Sequence, residues 1–323
     1  MTGGVLRHVI DSISPASAAH AEGARRNVAG AGAPLLEQLA AALGGAQHTP
    51  RPRGARRTLL VCAGDHGAGD PGVSLGPAHP TVIAARAIAE GTAALAQVAR
   101  ASKTPIVLVD AGTAEPTELP AAAIRLGRGP SRDLLREPAM TVVDAALALE
   151  AGIALAVSLV DAGLDVLAVG AIGVGADVAS AALLGAALGA PPTGLGDPGA
   201  EAAGAQGAAL AGTGAGALDR LAALGGPDTA VLAGVMLGAA SMNVPIVLDG
   251  YATGAAALAA AAFAPAVAGS LIAAHTGTFT HPRILAHLGL RPLFEVGLGH
   301  GEGTGAAMVL PLIDQVTSLA ARG

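Results

Sequence analysis

The chain has 323 residues and a formal net charge of −6, with 47 glycines, no tryptophan, one tyrosine and three phenylalanines. Its length suits one large α/β domain with a smaller appendage, or two domains of ordinary size. The acidic balance and the scarcity of aromatic side chains argue against nucleic-acid binding, and the single cysteine, Cys62, excludes an internal disulfide framework.

The N-terminal residues, up to Arg57, are predicted to form a helical pair followed by an Arg/Pro-rich linker. Charged side chains such as Arg7, Asp11 and Glu22 interrupt any apolar run there, so we expect no secretory signal and a cytoplasmic protein. A further helix is predicted over 306–321. We expect residues 1–57 with 306–323 to form a small helical domain beside an α/β domain of residues 58–305.

Short β-rich runs that end in small or acidic residues recur through the middle of the chain. They cover 58–63, 105–110, 165–169, 230–235, 245–249 and 292–296. Ala/Leu-rich segments of helical length lie between most of them, at 81–100, 141–162, 178–188 and 253–264. Apolar strands without polar alternation, interleaved with helices, predict an α/β fold with a Rossmann-like parallel sheet flanked by helices.

Two uncharged stretches, 229–248 and 251–274, are long enough to raise the question of membrane spans. Both consist mostly of Ala and Gly, and neither has aromatic belts or basic residues close to its ends. We therefore interpret them as buried elements of an α/β core and expect no membrane association.

Acidic residues follow several of the predicted strands. Asp65 and His66 follow the first, Asp110 the second, Asp249 the fifth and Glu302 the sixth. Ligands of parallel α/β sheets bind at the carboxyl ends of the strands, so these residues are candidates for one site. The alternative for Asp110 and Asp249 is that each caps a helix or shapes a turn.

Glu302 stands in a glycine-rich run, Gly301 to Gly305, where its carboxylate is a candidate base. Glycines tolerate positive φ and let the backbone approach a ligand closely, so a carboxylate framed by them suggests a loop shaped around a ligand. The alternative is an ordinary strand-to-helix turn with Thr304 as the helix cap and Glu302 solvated.

Several blocks of the sequence together resemble the nicotinate-nucleotide:dimethylbenzimidazole phosphoribosyltransferase family of cobalamin biosynthesis, and they occur in the family's order. The blocks are Ala63-Gly64-Asp65-His66-Gly67, Gly72-Val73-Ser74, Val109-Asp110-Ala111-Gly112, Pro138-Ala139-Met140-Thr141, Ala151-Gly152-Ile153, Gly170-Ala171-Ile172-Gly173-Val174-Gly175, Leu232-Ala233-Gly234-Val235, Leu248-Asp249-Gly250-Tyr251 and Gly301-Glu302-Gly303-Thr304-Gly305-Ala306-Ala307.

The resemblance implies transfer of a phosphoribosyl group from nicotinate mononucleotide to a nitrogen of 5,6-dimethylbenzimidazole or a related base. It implies a Rossmann-like domain with a small helical domain, a homodimer, and no metal or redox cofactor. Glu302 matches the family's catalytic base, which accepts a proton from the second base nitrogen. Ser74 matches a residue that lines the base pocket.

We add Asp65 and His66 to Ser74 as candidate base-binding residues. The candidate nucleotide- and phosphate-binding residues are Gly173, Gly175, Gly194, Gly196, Gly303 and Thr304. No metal site is expected, because His66, His79, His281 and His300 lack a tight ligand spacing and are assigned hydrogen-bonding roles.

The candidate phosphate loops depart from the family's pattern. Asp177 and Asp197 replace polar or basic residues, the family's lysine is missing, and no Lys or Arg occurs between Arg136 and Arg220. Either backbone amides with Arg128 or Arg132 hold the phosphate, or the donor site is lost. The second case leaves a non-catalytic paralogue or subunit, or a protein that acts on a nucleoside or free base.

Overall fold

The computed structural model describes residues 3–69, 72–120, 124–126, 129–299 and 301–321. Six parallel strands form one sheet in these residues, in the order β3-β2-β1-β4-β5-β6. The strands are β1 Arg57–Gly64, β2 Ile106–Gly112, β3 Ile124–Arg125, β4 Val166–Ile172, β5 Ile246–Leu248 and β6 Leu271–Ala273. The predicted Rossmann-like parallel sheet is confirmed, and its order places the switch point between β1 and β4.

Helices cover both faces of the sheet. In the described part of the chain they are α1 Gly3–Ser12, α2 Ala18–Val28, α3 Pro34–Ala46, α4 Pro80–Glu90, α5 Ala94–Ala101, α6 Val142–Asp161, α7 Ala176–Leu188, α8 Pro198–Ala211, α9 Ala217–Leu224, α10 Pro227–Ser241, α11 Tyr251–Phe263, α12 His281–His287 and α13 Thr304–Ala320.

The alternation of side chains along β1 builds two apolar layers. Leu60 and Cys62 point into a core formed with helices α6, α10 and α11. Leu59, Val61 and Ala63 point into a second core formed with α2, α3, α5 and α13. Because every strand of the switch region is covered by helices on both faces, ligands reach the sheet only at the ends of its strands.

Small residues let neighbouring helices approach one another closely. A Cβ on Gly152 of α6 would collide with the Val231 carbonyl of α10, and one on Gly234 would collide with the Leu149 carbonyl. The same holds for Gly185 of α7, which faces the Gly204 carbonyl of α8. The Ala/Gly-rich composition therefore serves helix pairing as well as packing on the sheet.

Two of the predicted strands are wrong. Residues 230–235 belong to α10, which is buried on all sides, and a short run that is apolar all round does not distinguish a helix from a strand. Residues 292–296 form no strand, although Leu293 donates its N–H to the Ala273 carbonyl of β6 at 3.0 Å and Phe294 forms an isolated bridge with His275. The short strands β3 and β6 were not predicted.

Some helix bounds also differ from the predictions. The segment 81–100 is two helices, because Gly91 ends α4 with a φ of +74°. The N-terminal pair is three helices, α1 to α3. Helices α2, α3 and α13 contact each other, whereas α1 contacts α10 on the other face. The division into two domains stays a prediction.

Two helical stretches, Pro80–Ala101 and Val142–Asp161, are long and apolar enough to cross a membrane by length and composition. This is weak evidence for a span, because core helices of α/β proteins pass the same test. The first stretch is broken at Gly91, and the second packs along α10.

Candidate functional site

A cavity of about 160 Å³ lies at the carboxyl end of β4, beside the switch point. Its walls come from the start of α4, the end of β4, the start of α11 and the loop before α13. The lining residues are Pro80, Thr81, Ala84, Ala171, Ile172, Gly173, Tyr251, Gly301 and Glu302. The structure thus brings the predicted base, Glu302, together with the predicted phosphate-binding residue Gly173.

A larger cavity, of about 560 Å³, opens beside β2 and the start of α6. It includes Arg132, whose guanidinium lies 3.1 Å from the Glu137 carboxylate, but not Glu302. Arg132 therefore lines a different cavity from the candidate base, and Arg128 lies outside the described residues. We take the smaller cavity as the candidate active site, because at the switch point it holds a carboxylate with no partner among the described residues.

The Glu302 carboxylate makes no hydrogen bond or ion pair with any residue that the structure describes. Its backbone, in contrast, is fixed. The Ala171 N–H donates to the Gly301 carbonyl at 2.9 Å, and Gly170 lets the Glu302 carbonyl pack directly on β4. A rigid backbone thus carries into the cavity a carboxylate that no described residue binds.

The glycines around Glu302 have specific structural reasons. Gly303 is the residue before α13 and has a φ of +117°, which L side chains rarely adopt. A Cβ on Gly305 would collide with the ring of His275 and the carboxylate of Asp249. Thr304 is not the cap of α13. The N-cap position is occupied by Gly303, which has no side chain to cap the helix.

The Asp65 carboxylate holds together the loops behind the cavity. It is buried and accepts hydrogen bonds from the Thr81 hydroxyl at 2.5 Å, the Ala114 N–H at 2.8 Å and the Val174 N–H at 3.0 Å. These donors come from three separate loops or helix starts, including the Thr81 wall of the cavity. Asp65 thereby fixes the cavity wall, while its base-binding role stays a prediction.

His66 is buried, with Nε2 3.1 Å from the Asp228 carboxylate. Burial disfavours the charged ring, but the Asp228 carboxylate, with smaller contributions from Asp65 and Asp177, outweighs burial and raises the pKa of His66. His66 does not line the Glu302 cavity.

Other predicted site residues lie away from that cavity. Ser74 is exposed in the connection between β1 and α4 and is not part of the lining. Gly194 and Gly196 lie in an exposed loop before α8, where the Glu201 carboxylate already accepts the Gly194 N–H at 3.1 Å. Asp197 caps α8 through the Ala200 N–H at 2.7 Å.

The start of α7 borders the site and is negatively charged. Gly175, with a φ of +78°, precedes the helix, and Asp177 lies in its first turn. Burial raises the pKa of Tyr251, and the nearby Asp177 carboxylate raises it further. The described residues that line the cavity include no Lys or Arg.

Tyr251 is the chain's only tyrosine, and sequence reasoning did not single it out as a site residue. Its ring lines the cavity and meets the Phe279 ring edge-on, with centroids 5.6 Å apart. An aromatic wall suits a planar heterocycle. The sequence does contain a signal for Tyr251, because an aromatic residue just after a strand is unusual in a chain with so few aromatic residues.

The described residues contain no group of three or more His, Cys, Asp or Glu side chains that could hold a metal ion. His79 accepts the Thr81 N–H through Nδ1 at 3.3 Å, as a hydrogen-bonding role requires. The His281 ring is buried beside the backbone of Gly250 and His275, and its hydrogen-bonding role stays a prediction. His300 lies outside the described residues.

His281 should make the protein less stable in acid. Burial lowers its pKa to about 4, and the neighbouring His275 lowers it too, against weaker opposing effects of Asp249 and nearby carbonyls. Since the unfolded ring titrates near its ordinary pKa of about 6.5, the unfolded state binds the proton first as the pH falls. Stability is complete above about pH 7 and falls towards pH 4, by about 2 kcal/mol between pH 8 and 5.

Urea unfolding of the parent, His281→Gln and His8→Gln at pH 8 and 5 measures this effect. His281→Gln should lose about 2 kcal/mol less than the parent over the interval. His8 is exposed on α1, so its replacement should leave the pH dependence unchanged. Equal pH dependence of His281→Gln and the parent would show that the ring titrates normally.

Comparison with known proteins places this chain in a family. A family model described as "Phosphoribosyltransferase" matches residues 13–322. A protein of Roseiflexus sp. (strain RS-1), named nicotinate-nucleotide–dimethylbenzimidazole phosphoribosyltransferase, is 39% identical over 292 residues, covering 86% of this chain and 82% of that protein. A protein of the same name from Desulforudis audaxviator is 35% identical, covering 98% and 95%.

The fold agrees with these sequences. The crystal structure of CobT from Thermus thermophilus matches with a TM-score of 0.79 and 32% identity, over 98% of this chain and 95% of that one. Sequence and fold thus match over nearly the whole length of the chain. The chain belongs to the nicotinate-nucleotide:dimethylbenzimidazole phosphoribosyltransferase family.

Proposed function

We propose that this protein transfers the phosphoribosyl group of nicotinate mononucleotide to a nitrogen of 5,6-dimethylbenzimidazole or a closely related base. The products are nicotinate and α-ribazole 5'-phosphate, the nucleotide of the cobalamin lower ligand. The observation that carries the proposal is the Glu302 carboxylate, which has no partner in the described part of the chain and lies in a cavity with an aromatic wall, Tyr251.

The reaction needs one base and close positioning of two ligands. The nicotinate ring is a cationic pyridinium in the donor, and it leaves as a neutral pyridine when its bond to the ribose C1' breaks. One benzimidazole nitrogen forms the new bond to C1', and the ring becomes cationic. Glu302 accepts the proton from the other nitrogen and neutralises that charge. The rigid backbone around Glu302 supports this role, because positioning contributes much of the rate in such transfers.

The side chains that line the cavity offer few favourable contacts to the donor phosphate. The described lining residues provide no positive charge, and Asp177 adds a negative one near Tyr251. We propose that backbone N–H groups hold the phosphate, as they do at many helix N-termini. A donor that is bound in this way depends less on salt than one held by lysine or arginine.

The test is a product assay with purified protein. Nicotinate mononucleotide and dimethylbenzimidazole should give nicotinate and α-ribazole 5'-phosphate in equal amounts, measured by chromatography and mass spectrometry. Nicotinate riboside is the control donor. Product from the riboside alone would favour the nucleoside alternative, and binding of the base without any product, by calorimetry, would favour the non-catalytic one.

We also propose a cytoplasmic homodimer. The homodimer is supported by the apolar face of α6, where Val142, Val143 and Leu147 are 45%, 67% and 47% exposed. Such an apolar patch on one helix is typical of an interface. A cytoplasmic location is supported by the buried free thiol of Cys62. Cell fractionation should find the protein in the cytoplasmic fraction.

Light scattering should give a mass of about twice 30.8 kDa. Val143→Asp places a charge on the exposed face of α6 and should shift the protein towards the monomer. Val5→Asp, on α1, changes a residue that is 59% exposed and should leave the mass unchanged. A parent protein with the mass of one chain would exclude the homodimer.

A further inference from the structure

Asp249 connects two distant parts of the chain at the candidate site. It directly follows β5, and its side chain is fully buried. One carboxylate oxygen, Oδ2, accepts the Gly303 N–H at 2.6 Å, and the other, Oδ1, accepts the Ala306 N–H at 3.0 Å. Both donors belong to the segment that carries Glu302, although they lie more than 50 residues away along the chain.

These two hydrogen bonds replace the cap that α13 lacks. The residue before α13 is Gly303, which has no side chain to satisfy the first N–H groups of the helix. Asp249 does not cap α11, which follows it, because the described donors to its carboxylate are Gly303, Ala306 and His275. The carboxylate instead supplies a negative charge to the N-terminus of α13, where the helix dipole stabilises it.

His275 holds the Asp249 carboxylate in turn. Its Nε2 lies 3.1 Å from Oδ1, and its ring is almost fully buried. A carboxylate only accepts hydrogen bonds, so Nε2 carries the proton in this pair. The Asp249 carboxylate therefore has three donors and no contact with solvent, which fixes its position.

We propose that Asp249 is the positioning residue of the catalytic base: it fixes the peptide between Glu302 and Gly303, and His275 orients it. The proposal rests on the proposed function of Glu302. Full burial prevents Asp249 from touching a ligand in the cavity, so it acts only through the backbone of 301–306. Gly305 is needed for the same arrangement, because a larger side chain there would displace Asp249 or His275.

The main test is Asp249→Asn, which has nearly the same shape. Its amide has one accepting oxygen and an NH₂ group, so at least one of the three donors then faces another donor. Amide hydrogen exchange over 301–306 should become at least ~10-fold faster, because each unit of ~1.4 kcal/mol in local opening changes exchange tenfold. kcat should fall by ~10²-fold, with the KM for dimethylbenzimidazole unchanged.

Asp110→Asn is the matched control. Asp110 is also buried and lies near the carboxyl end of β2, but it accepts the Thr113 N–H of its own turn, at 3.1 Å. This substitution should leave the exchange of 301–306 unchanged, even if the whole protein loses stability. Equal acceleration in both variants would mean that Asp249 has a general structural role and would overturn the proposal.

A double-mutant cycle separates positioning from a second independent function. If Asp249 acts through Glu302, the double variant with Glu302→Gln should be no slower than Glu302→Gln alone. A double variant whose loss of kcat equals the product of the two single losses would overturn the proposal. A parent without transferase activity would overturn the proposed function, while the exchange measurement would still decide whether Asp249 anchors the segment.

His275 gives a second, milder variant if Asp249→Asn does not fold. His275→Gln keeps an N–H donor for Asp249 and should retain most of the rate. His275→Leu removes the donor and should lower kcat by ~10-fold, since a buried acceptor loses one partner. Equal rates for these two variants would show that His275 does not orient Asp249.

Discussion

Replacement of Glu302 by glutamine should lower kcat for phosphoribosyl transfer by ~10²- to 10⁴-fold, the usual contribution of a general base. Glutamine has nearly the same shape but does not accept a proton at neutral pH. The KM for both substrates should change little, because the substitution removes an interaction of the transition state. The melting temperature should also stay the same, since the carboxylate has no partner among the described residues.

Glu295→Gln is the matched control for this prediction. Glu295 lies seven positions earlier in the same connection to α13 and is exposed outside the cavity lining. It should keep the parent's rate. If Glu302→Gln also kept that rate, water or another side chain would have to accept the proton, and the carboxylate would be solvated without a catalytic role.

Gly173→Ala should cost ~1–3 kcal/mol or more of unfolding free energy, the range for an overpacked position. Gly173 follows β4 where the chain passes the end of β1, and a Cβ there would collide with the Gly64 carbonyl. Backbone atoms on both sides leave no flexible group that could move aside. Transferase activity should fall as well, because the displaced loop lines the Glu302 cavity.

Urea unfolding of Gly173→Ala and Gly30→Ala measures the predicted loss. A Cβ on Gly30 meets no atom within 4 Å and its φ is not positive, so Gly30→Ala should have little effect. The sequence predicts that Gly173 binds phosphate, and this role stays a prediction. A variant with normal stability and weaker binding of nicotinate mononucleotide would support that role alone and contradict the steric one.

The sequence predicts one shared role for several glycines that the structure places in different surroundings. Gly173 and Gly194 were both assigned to phosphate binding, but only Gly173 lines the cavity with Glu302. Gly194 lies in an exposed loop whose amides bind Glu201. A glycine-rich turn has the same local pattern whether it faces a ligand, a neighbouring strand or a carboxylate of its own helix. Its role therefore depends on what the rest of the chain places beside it.

The alternatives left open for the two aspartates are also resolved by contacts. Asp110 shapes its own turn through Thr113, as one alternative held. Asp249 caps a helix, but the helix is α13 and not the one that follows it. Local spacing predicts capping within a few residues, and it contains no information about a donor 54 positions away.

The sequence by itself determined the α/β class, strands β1, β2, β4 and β5, the family and the identity of the candidate base. Apolar runs, turn residues and the motif around Glu302 are local signals, and they act through the backbone within a few positions. The nature of 230–235, the short strands β3 and β6, and the anchoring of Glu302 by Asp249 were decided only by the tertiary structure. Each depends on partners that are remote in sequence: a buried helix needs neighbours on all sides, a two- or three-residue strand needs an adjoining strand, and a buried carboxylate needs donors from another element.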